Sequence, residues 1–248
     1  MNKRDEIYSV STAFKDLSIA FRYVTITYLS YLILPPLILI RYSETICVFQ
    51  ELLGANPSNA EALIPVILSY HLLYGGVFTF SLIALSIAII YCARKFKNLA
   101  KELELQLPSK LAIAPMIWGI YAITLATINI FYTYTQYMNL INQLWKSIES
   151  GTMEMTINPE PLRTMVIVHE ILFAITIILL SWAIHELVEN FEILDKLRLP
   201  AQLLLVGASL FIIEVLLWGL GIGPIIVVIA FYMIKRGTKE VSERLKNN

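Results

Sequence analysis

Residues 72–93 read LLYGGVFTFSLIALSIAIIYCA and contain no charged side chain, and Arg94, Lys95 and Lys97 follow closely. A helix that crosses the roughly 30 Å hydrocarbon core of a bilayer needs about 20 consecutive, mostly apolar residues. In lipid, only helices and closed barrels satisfy all of their own backbone polar groups. The stretch therefore predicts a transmembrane helix that ends at a basic, aqueous boundary.

Similar stretches recur along the chain, and the overall composition agrees with them. The 248 residues are 57% hydrophobic and 15% charged, whereas soluble domains carry about 25% charged residues. We predict a single all-α membrane domain over residues 1–248, built as a polytopic bundle of six transmembrane helices. The predicted spans are 17–40, 62–93, 110–137, 162–187, 200–217 and 222–234.

Proline residues modify the first span. Pro35 and Pro36 remove two backbone donors, so we expect a kink or an early end of the helix there. The polar stretch that follows, residues 41–59, carries apolar residues at helical spacing and predicts a separate short amphipathic helix. Farther along, Pro108 is expected to end one helix and Ser109 to cap the next.

The sixth span is short. A tight turn is predicted over residues 219–224, which read GLGIGP, and only about 10 residues remain before Lys235. At 1.5 Å per residue such a helix covers about 15 Å. It therefore starts within the glycine turn, crosses a locally thinned bilayer or is re-entrant.

The lysine and arginine residues orient the predicted helices. With the amino terminus in the cytoplasm, sixteen of the 19 Lys and Arg residues fall on the cytoplasmic side, and only Arg41, Lys146 and Arg163 fall outside. A bias of this size is the main determinant of orientation. We predict a multi-pass protein of the cell membrane with both termini in the cytoplasm.

A weak internal repeat relates residues 62–137 to residues 162–217. Residues 105–111 read LQLPSKL and residues 197–203 read LRLPAQL, and each would form a cytoplasmic turn between two spans. Parallel repeats with faint sequence symmetry occur in some transporters. Chance similarity between leucine-rich helix ends before proline explains the pattern equally well, so both explanations stand.

Four polar residues form a candidate cluster within the membrane: His71, His169, Glu170 and Glu214. From the predicted spans and a rise of 1.5 Å per residue, they lie roughly 5–13 Å beneath the outer surface. A charge at the bilayer centre costs about 2.5–3.5 kcal/mol, so each residue needs a partner, water or a neutral form. Their similar depth predicts that they can meet between helices.

Three explanations remain for this cluster. Imidazole and carboxylate groups suit several divalent metals, and one haem held by His71 and His169 is stereochemically conceivable. The third explanation is structural hydrogen bonding by uncharged side chains, which is favoured because the cost of polar groups falls toward the interface. We therefore predict no metal, no cofactor and no catalytic residue.

The function is predicted only by class. The sequence lacks a recognisable Ser/His/Asp motif, a Gly-rich phosphate loop and the HExxH spacing, so we expect no enzyme. The third span is expected to continue as an amphipathic helix to Ile148, and such extensions favour a non-enzymatic subunit or channel-like component of a transport or translocation assembly. Its expected partners are the lipid bilayer and other membrane subunits, and the net charge of zero gives no reason to expect nucleic acid.

Two alternatives are kept. One is a secondary transporter of a small solute, in which Pro35-Pro36 and Gly223-Pro224 produce discontinuous helices. The other is a haem- or metal-binding redox subunit that uses His71 and His169. The high isoleucine content points to a thermophilic or AT-rich prokaryote.

Overall fold

The computed structural model describes residues 3–55, 57–151, 160–217 and 221–247, and every regular element within these ranges is helical. The elements are α1 (Lys3–Ala55), α2 (Pro57–Glu61), α3 (Ile64–Glu102), α4 (Gln106–Leu111), α5 (Ile113–Ser150), α6 (Glu160–Asn190), a 3-10 helix (Glu192–Leu197), α7 (Arg198–Leu217) and α8 (Ile222–Asn247). The prediction of an all-α protein is confirmed.

Five of the described segments are long and apolar enough to cross a membrane. They are Ile7–Ala55, Asn59–Glu102, Gln106–Ser150, Ile167–Asn190 and Ile193–Leu217. Large apolar side chains point outward from them, and Phe80 and Leu217 are each 74% exposed. Removing such a side chain from water is worth about 1.5–3 kcal/mol, so this surface favours lipid over water. α8 is not among the five because its second half, from Lys235 onward, is charged.

The first helix runs without interruption through Pro35 and Pro36. The expected early end of the first span is therefore wrong. The polar stretch that follows is helical, as predicted, but it continues α1 to Ala55 and is not a separate helix. Proline is tolerated inside membrane helices where neighbouring helices and local adjustments satisfy the freed backbone groups.

The turn between α3 and α4 lies ahead of Pro108. Leu105 N donates to Ala100 O at 2.8 Å and Glu104 N donates to Lys101 O at 3.0 Å. This pair of bonds is the Schellman motif that ends many helices. The expectation that Pro108 ends a helix is wrong, because Pro108 lies in the first turn of α4, where a missing N–H costs no helical bond.

The chain forms two compact units. Unit 1 comprises Met1–Leu29, Ala84–Ala122 and Leu162–Asn248, and unit 2 comprises Ser30–Ile83 and Ile123–Pro161. Each of α1, α3 and α5 contributes one part to each unit. The two turns of the proposed repeat, 105–111 and 197–203, both belong to unit 1, and the repeat itself stays a prediction.

Aromatic rings fill the interior of unit 1. Tyr28 lies against Phe173 and Phe231 with ring centroids 5.1 and 6.2 Å apart, and Phe21 lies 5.9 Å from Phe231. None of the four side chains is more than 3% exposed. Aromatic pairs at such separations add about 0.5–1.5 kcal/mol to the burial of their area. The rings therefore join α1, α6 and α8 into a tightly packed core.

Within unit 1, α7 and α8 form an antiparallel hairpin with close backbone contact. A methyl group added at Gly223 would lie 2.5 Å from Phe211 N and 2.7 Å from Gly207 O. Only glycine permits this approach, as at other close helix contacts in membranes. Residues 219 and 220 of the predicted turn lie outside the described residues, while Gly221 adopts φ +75° immediately before α8.

Unit 2 has an apolar cluster of its own. The cluster consists of Phe49, Leu53, Ala60, Ile64, Ile67, Leu140 and Leu144, which come from α1, α2, α3 and α5. The predicted helical continuation of the third span is confirmed, because α5 extends to Ser150 and its Leu140 and Leu144 are buried in this cluster. Most of the polar link predicted at residues 149–161 lies outside the described residues.

Candidate functional site

Glu214 lies near the end of α7 and caps the start of α8. Its Oε1 accepts a hydrogen bond from Ile222 N at 2.8 Å, and its Oε2 accepts one from Gly223 N at 3.0 Å. The first N–H groups of a helix have no partner within the helix, and a carboxylate also interacts favourably with the positive end of the helix dipole. Both oxygens of Glu214 therefore have a structural role at the hairpin.

His169 lies on α6 in the interior of unit 1 and is only 2% exposed. Its ring centroid is 5.2 Å from that of Trp118 and 6.3 Å from that of Tyr121, both on α5. The neighbouring Glu170 is half-buried on the same helix. His169 is thus part of the aromatic packing between α5 and α6.

His71 belongs to unit 2. Its Nε2 lies 3.3 Å from Thr133 O on α5, and its ring centroid lies 6.2 Å from that of Tyr42 on α1. A carbonyl oxygen can only accept, so this contact requires the proton on Nε2. Next to it, a methyl group added at Gly75 would meet the Thr133 side chain. His71 therefore takes part in the close contact of α3 and α5.

The four candidate residues divide between the two units, and their meeting in one cluster stays a prediction. His169, Glu170 and Glu214 belong to unit 1 and His71 to unit 2. Among the residues that the structure describes, no three His, Cys, Asp or Glu side chains are arranged to hold a metal ion. A metal or haem site on these residues stays an untested alternative to the predicted structural role, and the contacts described above for Glu214, His169 and His71 are packing and hydrogen-bonding contacts.

One buried polar pair in unit 2 was not predicted. Asn129 Nδ2 donates to Thr79 Oγ1 at 2.8 Å, and both residues are less than 7% exposed. Hydrogen bonds of this type hold neighbouring helices together in membranes. No sequence signal singles out this pair, because other hydroxyl residues, such as Ser81 and Thr127, lie close to each partner and the partners are fifty positions apart.

Ionic and polar contacts gather at one end of unit 1. Lys95 Nζ donates to Asp16 Oδ2 at 2.6 Å, which joins the end of α3 to the beginning of α1. The Ser18 hydroxyl donates to Lys235 O at 2.8 Å, which joins α1 to α8. These contacts place the beginning of α1 beside the charged second half of α8. We call this the charged end of unit 1.

A third contact joins the 3-10 helix to α8 at the charged end. Lys196, just before α7, forms an ion pair and hydrogen bond with Glu240 of α8, and Arg236 Nε donates to the other oxygen of Glu240 at 3.2 Å. The hydrogen bond from Lys196 is the main cause that lowers the pKa of the Glu240 carboxyl, and its charge and the bond from Arg236 act in the same direction. The carboxylate form is therefore favoured in the folded protein.

An apolar groove of about 520 Å³ opens at the charged end. Four separated segments line it, with Val10 from α1, Leu103 from the turn after α3, Ile193 from the 3-10 helix and Leu245 from α8. All four of these side chains are partly exposed. The groove is thus an apolar surface in the part of unit 1 where ion pairs are concentrated.

Two carboxylates border this groove. Glu102 ends α3, and Glu104 follows it in the Schellman turn with φ 58°. Glycine is the usual residue at this left-handed position, and other residues adopt the conformation at a cost. The turn projects Leu103 and both carboxylates toward the same groove.

The turn after α6 forms the remaining wall of the groove. Phe191 leaves α6 with an extended backbone (φ −144°), and Leu194 N donates to Phe191 O at 2.9 Å as the 3-10 helix begins. This geometry turns Phe191, Ile193 and Leu194 into the groove.

No protein-family model, curated protein or solved structure matches the chain.

Proposed function

We propose that this chain is a six-span, non-enzymatic subunit of a membrane transport or translocation assembly, with both termini on the cytoplasmic side. In this proposal it carries out no chemistry. It is held by lipid along its apolar helices and binds other subunits through surfaces outside the lipid. The observation that carries the proposal is the apolar groove at the charged end of unit 1.

The groove supports partner binding because of where it lies. Its lining comes from segments next to the ion pairs Lys95–Asp16 and Lys196–Glu240, where lipid chains would not cover it. Contiguous apolar surface bordered by polar residues marks interaction sites in soluble regions. A protein partner would remove this surface from water.

The placement of the termini supports the proposed topology. The Ser18–Lys235 contact brings the beginning of α1 and the charged half of α8 to one end of unit 1. If α1 crosses the membrane outward from that end, α8 must return to the same side. The basic residues of both segments then lie together in the cytoplasm, as the positive-inside rule favours.

The packed core of unit 1 favours an accessory subunit rather than a protein that forms a pore by itself. Tyr28, Phe173 and Phe231 fill the space between α1, α6 and α8, and each is nearly fully buried. A conduit would need space lined by polar groups at this position. The alternative of a secondary transporter has lost one of its two expected helix breaks, because α1 is continuous through Pro35 and Pro36.

Purification from the native membrane tests the proposal. The tagged full-length chain is extracted into lipid nanodiscs without crosslinking, and native mass spectrometry gives the composition of the particles. We expect a second protein in fixed stoichiometry. A homogeneous particle of this chain alone that catalyses solute uptake in liposomes would overturn the proposal in favour of a transporter.

A further inference from the structure

The groove at the charged end has the features of a site for a helix. Helices that bind in grooves bury side chains at positions i, i+3, i+4 and i+7 from one face. A volume of about 520 Å³ lies within the range of well-formed binding pockets. Its walls come from four segments that a helix lying across the end of the bundle would contact together.

The charges at the groove indicate which charge a binding partner should carry. The charged side chains that line it are Glu102 and Glu104, and both are exposed. No lysine or arginine is among its lining residues within the described part of the chain. A partner with basic residues flanking its apolar face would therefore meet complementary charge, which favours the correct orientation and association.

Glu104 adds an independent indication. Its backbone adopts φ 58°, where glycine is favoured, so glutamate at this position costs stability that glycine would not. In the structure its side chain borders the groove. The left-handed turn therefore places a carboxylate, where glycine would supply none, at the edge of the groove.

We infer that this groove binds a basic amphipathic helix of a partner subunit, with the helix's apolar face in the groove and its lysine or arginine residues near Glu102 and Glu104. The inference rests on the proposed function and specifies the chemistry of one partner. The proposed binding site lies at the charged, cytoplasmic end of unit 1.

The test uses the full chain in nanodiscs of zwitterionic phosphatidylcholine, which do not attract peptides by charge. The probes are two fluorescent 14-residue peptides with leucine on one helical face and either lysine or glutamate on the other, and binding is followed by anisotropy. We expect the leucine/lysine peptide to bind the protein above the level of empty nanodiscs, and the leucine/glutamate peptide not to bind. Binding of neither peptide above that level overturns the inference.

A charge reversal identifies the surface. In Glu102→Lys/Glu104→Lys we expect binding of the leucine/lysine peptide to fall about tenfold, since two rim charge pairs are replaced by repulsion. The leucine/glutamate peptide should now bind. The matched control Asp195→Lys/Glu243→Lys reverses two charges at the same end that do not line the groove, and it should keep the original preference. An unchanged preference in the groove variant overturns the inference.

A single variant separates binding from folding. Glu104→Gly removes one carboxylate and favours the left-handed backbone, so it should unfold no more easily than the wild type while binding the leucine/lysine peptide more weakly. Equal binding contradicts a role for Glu104. If wild-type nanodiscs hold two chains that close the groove against peptide, the occupant is a second copy and the inference is wrong.

The two proposals fail in different ways. A fixed partner that co-purifies, together with an unchanged peptide preference in the groove variant, eliminates the groove assignment and leaves the proposed function standing. A lone chain with solute uptake eliminates the proposed function whatever the peptides do.

Discussion

Ser11 on α1 and Ser242 on α8 hydrogen-bond to each other in both directions. The Ser11 hydroxyl donates to Ser242 O at 2.9 Å, and the Ser242 hydroxyl donates to Ser11 O at 2.8 Å. Both residues are at most 4% exposed, although they are 231 positions apart. The pair joins the first and last long helices at the charged end of unit 1.

Removing one hydroxyl should weaken this junction. Ser11→Ala deletes the bond to Ser242 O and the longer 3.3 Å contact between the two hydroxyls, and it leaves the bond from Ser242 to Ser11 O. A buried hydrogen bond contributes about 1 kcal/mol, so we expect the free energy of unfolding to fall by about that amount. Denaturant unfolding in detergent micelles measures it. Thr12→Ala is the matched control, because Thr12 is exposed and bonds only within its own helix, and it should change stability by less than about 0.5 kcal/mol. Equal effects of the two variants would contradict the assigned role of the serine pair.

Cysteine labelling should place the charged half of α8 in the cytoplasm. In a Cys47→Ser/Cys92→Ala background, Lys239→Cys should react with a membrane-impermeant maleimide only after the cells are opened. Lys146→Cys on α5 should react in intact cells, because the predicted orientation puts it outside. Both lysines are exposed, so access within the protein does not limit labelling. Labelling of Lys239→Cys in intact cells would contradict the cytoplasmic location of the charged half of α8.

Hydropathy predicted the long helices because burial in lipid depends on local composition. The same local reasoning failed at Pro35 and Pro36, where α1 continues because the helix interior in a membrane tolerates proline better than the aqueous rule allows. It also placed the turn after α3 at Pro108, whereas the backbone turns earlier at Glu104, a residue type that rarely adopts positive φ.

The candidate site was only partly accessible to sequence reasoning. Leu103 contributes to the groove only because Val10, Ile193 and Leu245 approach it from distant parts of the chain. No periodic pattern in the sequence predicts that such distant residues come together. Likewise, the sequence indicates that Glu214 is a polar residue in an apolar helix, but its partners depend on how the chain turns back between α7 and α8.

A methyl group at Gly223 should disrupt the α7–α8 hairpin. In Gly223→Ala the new carbon would lie 2.5 Å from Phe211 N, and backbone atoms cannot move aside as a flexible side chain can. Overpacking of this kind costs about 1–3 kcal/mol, measured by denaturant unfolding in micelles. Gly76→Ala is the control, since nothing lies within 4 Å of the added carbon, and there the helix should gain roughly 0.5–1 kcal/mol. A loss of stability in Gly76→Ala equal to that in Gly223→Ala would contradict the close-contact argument.

The Glu240 contact should make stability depend on pH. Because the pKa of Glu240 is lower in the folded protein than in the unfolded chain, the unfolded state binds a proton more readily. The stabilisation is fully present above the unfolded pKa of about 4.3 and is lost as the pH falls through the lower folded value. The difference in melting temperature between wild type and Glu240→Gln should therefore shrink on acidification below about pH 4. Lys196→Met should reduce this pH dependence as well, and a difference that instead grows in acid would contradict it.

Variants of Glu214 distinguish a helix cap from a functional carboxylate. Glu214→Ala removes both acceptors of Ile222 N and Gly223 N and should cost about 0.5–2 kcal/mol, as the loss of other caps does. Glu214→Gln keeps one oxygen that can accept, so its free energy of unfolding should fall between those of wild type and Glu214→Ala. Ser209→Ala, on an exposed part of the same helix, should leave stability within about 0.5 kcal/mol of wild type. A carboxylate needed for its charge, as metal or proton binding requires, would behave differently. Glu214→Gln and Glu214→Ala would then abolish that binding equally, and their free energies of unfolding would not follow the number of remaining acceptors. Unfolding in micelles that ranks wild type, Gln and Ala in that order therefore supports the cap.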